Sequence, residues 1–343
     1  MVASPGGWWV SPYTPRSRRA FVASIAHGFV EGDSGAVFDS SARLFDPPGT
    51  FPATWVQRLA EGPERRERAT ERFGTLATLI QPYGWMYYHF VCETLPKLVQ
   101  LRDVLPAESW GGGEGAAAST PPANGSSSDS SGGDSGGGDA PSPLRLLLWG
   151  QPWEAAWLEL LRIPRGAPVA LRPDTRYAAS TLLLPSPVEA VTPSREALVA
   201  ARDAVRSAVG ESPRRSLRRT LVYASRQGER GRRVANEASL VAALGAAFPE
   251  FTVVVHTRET QPREAVAMFA AAAAVVGPHG AGLSHIMFCE RGTPVVELVF
   301  MHSPPMMFWH IASALGLRYA MAPLPRSYWR AHRRAAPRVA HRS

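Results

Sequence analysis

The chain has 343 residues, 45% of them hydrophobic, and a formal net charge of +8 at pH 7. This length and composition predict two globular domains that each bury a core of their own. The basic excess is almost entirely arginine and is concentrated at 16–19, 214–219 and 326–342. Such runs are typical of solvated charge, so we expect no nucleic-acid partner. Cys92 and Cys289 lie in apolar helical patterns and are expected to be buried free thiols.

The first part of the chain predicts an irregular arm, residues 1–19, followed by an α/β domain, residues 20–212. No run of about 18 apolar residues is present, so this chain is not expected to span a membrane by itself. The elements expected in the α/β domain are short strands at 20–30 and 36–45, a solvated helix or extended loop at 54–73, strands at 75–80, 144–149, 168–171 and 181–184, and helices at 152–161 and 193–209.

A stretch rich in Gly, Ser, Asp and Pro interrupts this domain at 110–143 and predicts a disordered insertion, because it has too little apolar surface to bury. Within it, residues 133–137 match the G-x-S-x-G pattern of serine hydrolases. That pattern requires a preceding strand and a following helix, and neither is predicted here, so a hydrolase is disfavoured. Asn124 begins an N-glycosylation acceptor pattern, which matters only if the chain enters the secretory lumen.

The second part predicts a doubly wound α/β domain at 213–325, with a hinge at 213–219 before it and a basic tail at 326–343 after it. The expected strands are at 220–224, 251–256, 275–276, after Gly292 and near Tyr319. The expected helices are at 236–248, 262–273, 283–289 and 305–315.

The turn at 277–282 joins the strand at Val275 and Val276 to the short helix at 283–289. In such a unit, backbone amides and the helix N-terminus can hold a phosphate group. Gly280 and Gly282 would permit close approach or a positive φ. His279 could donate to a phosphate oxygen. The alternative is a glycine-rich turn with a hydrogen-bonded histidine.

The loop at 225–237 follows the strand at 220–224 and brings several arginines to the same sheet edge. Asn236 stands where a helix N-cap is expected and would satisfy an amide of the first turn. A solvated arginine loop is the alternative, but the position after a strand favours anion binding.

His89 and Glu93 are four residues apart, so on a helix they share a face and can touch each other or converge on one ligand. Three aromatic residues, Trp85, Tyr87 and Tyr88, accompany them at the end of a predicted strand. A sugar and a general base could meet there. A surface or capping pair is the alternative for two isolated residues.

Three stretches in this order resemble glycosyltransferase family 61. They read YYHFVCETLPKL, SRQGERGRRVANE and VGPHGAGLSHIMFCERGTPVVEL. The resemblance covers roughly residues 75–325 apart from the insertion. It implies a GT-B-like fold with two Rossmann-type domains facing a cleft, the nucleotide sugar being held mainly by the domain at 213–325.

The resemblance also implies an inverting transfer from a nucleotide sugar, with UDP expected, to a glycan or glycoprotein hydroxyl. It implies no cofactor and no metal, and the sequence has no D-x-D pair to hold a cation. The expected class is a hexosyl- or pentosyltransferase in the Golgi or endoplasmic reticulum lumen, with any membrane anchor absent from this chain. An inactive nucleotide-sugar-binding module of the same fold is the alternative.

By this resemblance, the donor-binding residues are Arg226, Arg232, Asn236, His279, Gly280 and Gly282. Glu297, at the end of a strand, could accept hydrogen bonds from the ribose hydroxyls. Since the arginine loop is longer than in several relatives, Arg230 or Arg233 is an alternative contact. His89 and Glu93 are the candidates for the general base, with His89 favoured. The alternative is that this pair positions the acceptor or supports the cleft between the domains.

Overall fold

The computed structural model describes residues 2–3, 9–10, 20–45, 69–105, 143–186, 194–210, 219–229, 231–300 and 306–324. The predicted insertion, apart from its last residue, and the predicted basic tail lie outside these ranges. The described strands are β1 (Val2–Ala3), β2 (Trp9–Val10), β3 (Val22–Ala26), β4 (Phe29–Glu31), β5 (Val37–Phe38), β6 (Leu44–Phe45), β7 (Ala69–Thr78), β8 (Arg145–Leu148), β9 (Pro168–Ala170), β10 (Thr175–Pro185), β11 (Thr220–Ala224), β12 (Thr252–His256), β13 (Ala272–Pro278), β14 (Pro294–Val299) and β15 (Arg318–Pro323).

The first described helix, α1, has three consecutive parts: an α-helical turn at Tyr87–His89, a π-helical turn at Phe90–Thr94 and a longer α-helix at Leu95–Val104. The other helices are α2 (Glu154–Leu160), α3 (Arg195–Val209), α4 (Glu237–Ala247), α5 (Pro262–Ala270) and α6 (Met307–Leu315), with a 3₁₀ segment at Ala281–Phe288. Pro96 has no backbone N–H to donate, and the π-helical turn ends two residues before it, at Thr94.

The C-terminal sheet contains seven described strands in the order β1-β2-β15-β14-β13-β11-β12. Strands β11 to β15 run parallel, whereas β2 pairs antiparallel with β15 at the edge. The chain leaves β11 towards β12 on one side and returns to β13 on the other side of β11. This reversal is the topological switch point, where open parallel sheets bind their ligands beyond the carboxyl ends of the strands.

The N-terminal sheet has a parallel part in the order β10-β7-β8-β9, extended by antiparallel pairing of β4 and β3 with β10. Its direction of winding reverses between β7 and β10. The segment that follows β7 leads into α1, so His89 stands beyond the carboxyl edge of this sheet. The α/β class and the presence of two sheets are therefore confirmed.

A continuous apolar core joins elements of the two sheets. Trp157 from α2 stacks on Phe288 from the 3₁₀ segment, with ring centroids 5.9 Å apart. Helix α3 packs against α1 and also against α5 and α6. It begins at the cap residue Ser194, whose hydroxyl accepts a hydrogen bond from the Ala197 amide. The helix before the predicted hinge thus contacts both halves of the molecule.

The structure differs from the sequence predictions where strand pairing outweighs local propensity. The solvated helix or loop expected at 54–73 is wrong for its described part, because Ala69–Thr78 pairs along β10. The helix expected at 262–273 ends at Ala270, since the following alanines enter β13 beside β11. Within the arm expected to be irregular, β1 and β2 extend the C-terminal sheet.

Gly277 allows β13 to lie close to β11, and we predict that Gly277→Ala destabilises the fold. A Cβ there would lie 2.8 Å from Ala224 Cβ and 2.9 Å from Ala224 O. We expect the free energy of unfolding to fall by about 1–3 kcal/mol in urea titrations, since backbone must move. Gly245→Ala is the control, because its Cβ would meet only Val253 at 3.8 Å. Equal stability of the two variants would contradict this packing.

Candidate active site

The loops that follow β11 and β13 flank the switch point of the C-terminal sheet. The first loop, 225–236, carries the predicted arginines, and the second, 279–282, carries the predicted histidine and glycines. Ser225 lies at the base of the first loop, where its amide donates to His256 O at 2.8 Å. Parallel strands end at one edge, so the fold brings these two loops together.

Arg226 lies directly on Gly280. A Cβ at Gly280 would lie 2.8 Å from both Cδ and Cζ of Arg226, so no larger residue fits without moving the guanidinium. Gly280 has an extended backbone with φ of 170°. The positive φ considered for Gly280 and Gly282 is wrong, because neither is in the left-handed region. Close approach therefore explains the glycine at 280.

Arg232 is close enough to Arg226 to act on it electrostatically. Burial lowers the pKa of Arg226, and the charge of Arg232 lowers it further. Arg226 Nε donates to Gly231 O at 3.2 Å, which holds the side chain across its own loop. Arg232 has a left-handed backbone, with φ of 57°. Two half-buried guanidiniums held together repel each other, and a bound anion would relieve that repulsion.

His279 is anchored by Glu297 on the neighbouring strand. The Nδ1 atom of His279 is hydrogen-bonded to Glu297 Oε1, and the Tyr319 hydroxyl donates to Glu297 Oε2. All three side chains are buried. Because a carboxylate only accepts, Nδ1 carries the hydrogen and Nε2 is the ring atom available to a ligand. Burial lowers the pKa of Arg232, and the charge of Glu297 opposes this lowering, which places that carboxylate near the arginine pair.

A hydrogen-bonded chain ties the turn at 279–282 to the N-terminal half. His285 Nδ1 donates to Gly282 O at 3.1 Å, so its Nε2 accepts from the Tyr87 hydroxyl at 3.0 Å. Trp157 Nε1 donates to the same hydroxyl at 3.3 Å. Burial and the neighbouring His256 hold the pKa of His285 well below its ordinary value, so this histidine is neutral.

The predicted contact between His89 and Glu93 is confirmed, with Nδ1 and Oε1 2.5 Å apart and both side chains buried. Lys97 continues the same helix face. Its ammonium donates to Gln81 Oε1, and Gln81 Nε2 donates to His89 O at 3.3 Å. Burial lowers the pKa of Lys97 to about 8, and burial raises that of Glu93. The π-helical turn lies within this polar cluster, a position typical of functional sites.

Phe308, on α6, lies between the two histidine sites. Its ring is 5.6 Å from that of Tyr88 and 5.2 Å from that of His279. The ring of Tyr88 is in turn 5.2 Å from that of His89. A short series of ring contacts therefore connects the edge of the N-terminal sheet with the edge of the C-terminal sheet.

The remaining predicted residues of the arginine loop are placed as follows. Asn236 is at the N-cap position of α4, but the predicted side-chain cap is wrong, since the side chain makes no capping hydrogen bond. The Asn236 carbonyl accepts the first hydrogen bond of α4, from the Leu240 amide at 3.0 Å. Arg233 is half-buried and its Nε has no hydrogen-bond partner among the described residues. Arg230 lies outside the described residues.

Three residues of this region were missed by sequence reasoning. Lys97 had a visible signal, since it is the only lysine of the chain and stands four residues after Glu93. His285 lies within the quoted stretch that follows the glycine turn. Tyr319 had no local signal, because only the pairing of β14 with β15 brings it to Glu297.

The sequence model of the family described as Glycosyltransferase 61 matches residues 87–296, more than half of the chain. The chain belongs to glycosyltransferase family 61. The match begins at the first residue of α1 and ends in β14, so it contains His89, Arg226 and His279. Family 61 membership supports a glycosyltransferase activity in general terms. No curated protein matches the chain.

Two further features of this family 61 protein concern metals and membranes. Among the residues that the structure describes, no group of three or more His, Cys, Asp or Glu side chains is arranged to hold a metal ion. Within the same residues, no helix has the length and apolarity that a bilayer crossing requires.

Glu154, on α2, makes the stability of this protein depend on pH. Burial raises its pKa to about 7, although backbone amides oppose this, among them Gly150 N, which donates to Oε2 at 2.9 Å. In the unfolded chain this carboxyl has its ordinary pKa of 4.5, whereas in the folded protein its pKa is about 7. The folded state therefore binds more protons in this window, and stability falls as the pH rises through it.

We predict that Glu154→Gln removes this pH dependence. Between pH 5 and pH 8 the wild type should lose roughly 1–3 kcal/mol more unfolding free energy than the variant. Chemical unfolding of both proteins at pH 5 and pH 8 gives the change in unfolding free energy of each. The other titrating groups are the same in both proteins, so the difference between the two changes belongs to Glu154. An identical pH dependence in both would contradict the buried protonated carboxyl.

Proposed function

We propose that this family 61 member transfers a sugar from a nucleotide sugar, with UDP expected, to a hydroxyl of a glycan or glycoprotein, with inversion and without a metal ion. One observation carries the proposal: Arg226 packed on Gly280 beside Arg232, at the switch point of a parallel sheet. We also propose that the two sheets correspond to the two halves of a GT-B-like fold. The expected site of action is the Golgi or endoplasmic reticulum lumen, as the family resemblance implies.

The donor diphosphate would lie against the two arginines and the amides at 280–282. Guanidiniums bind phosphate oxygens through paired hydrogen bonds. The first amides of a helical segment have no partner within that segment and point towards an anion. The expected contacts from Asn236, and from Arg233 as an alternative arginine, belong to the same loop. Together these groups would provide the positive charge that a divalent ion supplies in other transferases.

His279 would add a directed contact to this diphosphate through Nε2, once that atom carries a proton. The sequence predicted that Glu297 accepts hydrogen bonds from the ribose hydroxyls, and this stays a prediction. Since both of its oxygens already bind His279 and Tyr319, we propose that its first task is to orient His279.

His89 would act as the general base. Glu93 accepts from Nδ1, which leaves Nε2 unprotonated and able to take the acceptor proton. As that proton moves to Nε2, the acceptor oxygen forms a bond to the anomeric carbon. The bond from that carbon to the β-phosphate oxygen breaks at the same time, and its electron pair leaves with UDP. Attack opposite to the leaving group inverts the anomeric configuration.

We predict that Arg226→Ala and Arg232→Ala each weaken UDP binding roughly ten- to hundredfold in isothermal titration, because each removes charge-assisted hydrogen bonds. Gly280→Ala should also weaken binding without changing the charge, since its Cβ displaces Arg226. Arg165→Ala is the charge-matched control, because that side chain is 96% exposed. EDTA should leave the wild-type affinity unchanged.

Wild-type UDP affinity in both arginine variants would count decisively against this donor site. Loss of UDP binding in EDTA, restored by Mn²⁺, would contradict the metal-free part alone. Detection of transfer from UDP-xylose, UDP-N-acetylglucosamine or UDP-arabinose separates an active enzyme from an inactive binding module.

We predict that His89→Gln abolishes most transfer while UDP affinity is retained. Glutamine can still donate a hydrogen bond to Glu93, but it cannot accept a proton, so kcat should fall about 10²–10⁴-fold. Glu93→Gln should cause a smaller loss, because it leaves the base in place. Transfer at the wild-type rate by His89→Gln would exclude His89 as the base.

A further inference from the structure

Exposed apolar side chains cluster at one place on the described surface. Tyr83, Trp85 and Met86 are 45%, 38% and 43% exposed, and they lie within four consecutive residues directly before α1. The other large exposed apolar side chains of the described residues, such as Phe248, are separated along the chain. Scattered exposure is ordinary, whereas a contiguous apolar patch usually marks a binding surface.

The segment that carries this patch is held in a fixed conformation. Tyr83 has a left-handed backbone with φ of 62°, which is unfavourable for an aromatic residue. Gly84 lies against the indole of Trp149, and a Cβ there would be 2.7 Å from its Cδ1. The Met86 amide donates to Tyr83 O at 2.8 Å and closes the turn. The surrounding structure therefore maintains a strained backbone that keeps these side chains exposed.

The aromatic surface is continuous with the predicted base. The ring of Tyr83 is 5.6 Å from that of His89 and 5.5 Å from that of Trp85. Trp85 in turn contacts Trp149 edge-on, with centroids 5.1 Å apart. A ligand lying on Tyr83 and Trp85 would thus reach the buried pair of His89 and Glu93.

We propose that Tyr83, Trp85 and Met86 form the platform on which a sugar ring of the acceptor lies, beside the ring whose hydroxyl meets His89. A pyranose has a face of C–H groups that packs on aromatic rings, while its hydroxyls point outward to polar groups. This mixture matches an aromatic surface that ends at an imidazole and a carboxyl. The inference rests on the proposed function and specifies its acceptor as an oligosaccharide rather than a bare polypeptide.

The test measures binding of wild-type protein and variants to an array of xylo-, manno-, cello- and chito-oligosaccharides, without donor. Trp85→Ala should weaken the binding of the best glycan about tenfold, and Trp85→Phe should largely restore it. Tyr83→Asn removes the second ring, and asparagine tolerates the left-handed backbone, so this variant should fold. Phe248→Ala is the control for loss of an exposed aromatic ring. Thermal melting checks the fold of each variant.

UDP affinity, measured on the same proteins, separates the two proposals. Weakened glycan binding with unchanged UDP affinity supports the platform. If the Trp85 and Tyr83 variants fold but bind UDP more weakly, the patch contacts the nucleobase of the donor, and the acceptor platform is overturned. Absence of glycan binding by the wild type, or equal binding by all variants, would also overturn it, even if UDP binds normally. If the wild type does not bind UDP at all, the proposed function itself is contradicted.

Discussion

The packing of the Arg226 side chain on Gly280 is the contact on which this account depends. It joins the loop after β11 to the loop after β13, across the position where the sheet reverses its direction of winding. The guanidinium held there is partly buried and has the charge of Arg232 beside it, so two positive groups meet at this edge of the sheet. The strand order, the glycine and the arginine loop all contribute to that single arrangement.

The N-terminal half is attached to this arrangement through specific contacts. Tyr87 donates to His285, which in turn fixes the Gly282 carbonyl, while Phe308 lies between Tyr88 and His279. Because the two sheets also share one apolar core, the His89–Glu93 pair on α1 has a defined position relative to the glycine turn. The proposed transfer needs such a fixed arrangement, because the proposed base lies on α1 and the proposed diphosphate site lies at the turn.

The sequence predicted the elements of the C-terminal domain well, since alternating apolar strands and helices between 220 and 323 leave few alternatives. It also predicted the contact of His89 with Glu93, because helical spacing is local. It predicted that Gly280 permits a close approach, but not that Arg226 is the approaching group, since nothing local indicates that contact. The bond from Tyr319 to Glu297 depends on strand pairing and was likewise invisible.

The most direct measurement is a crystal structure of the protein with UDP bound in the presence of EDTA. The account predicts that the diphosphate oxygens lie within hydrogen-bonding distance of Arg226 or Arg232 and of an amide in the turn at 280–282. A diphosphate bound elsewhere, or one that approaches the protein only through a cation held by carboxylates, would contradict it.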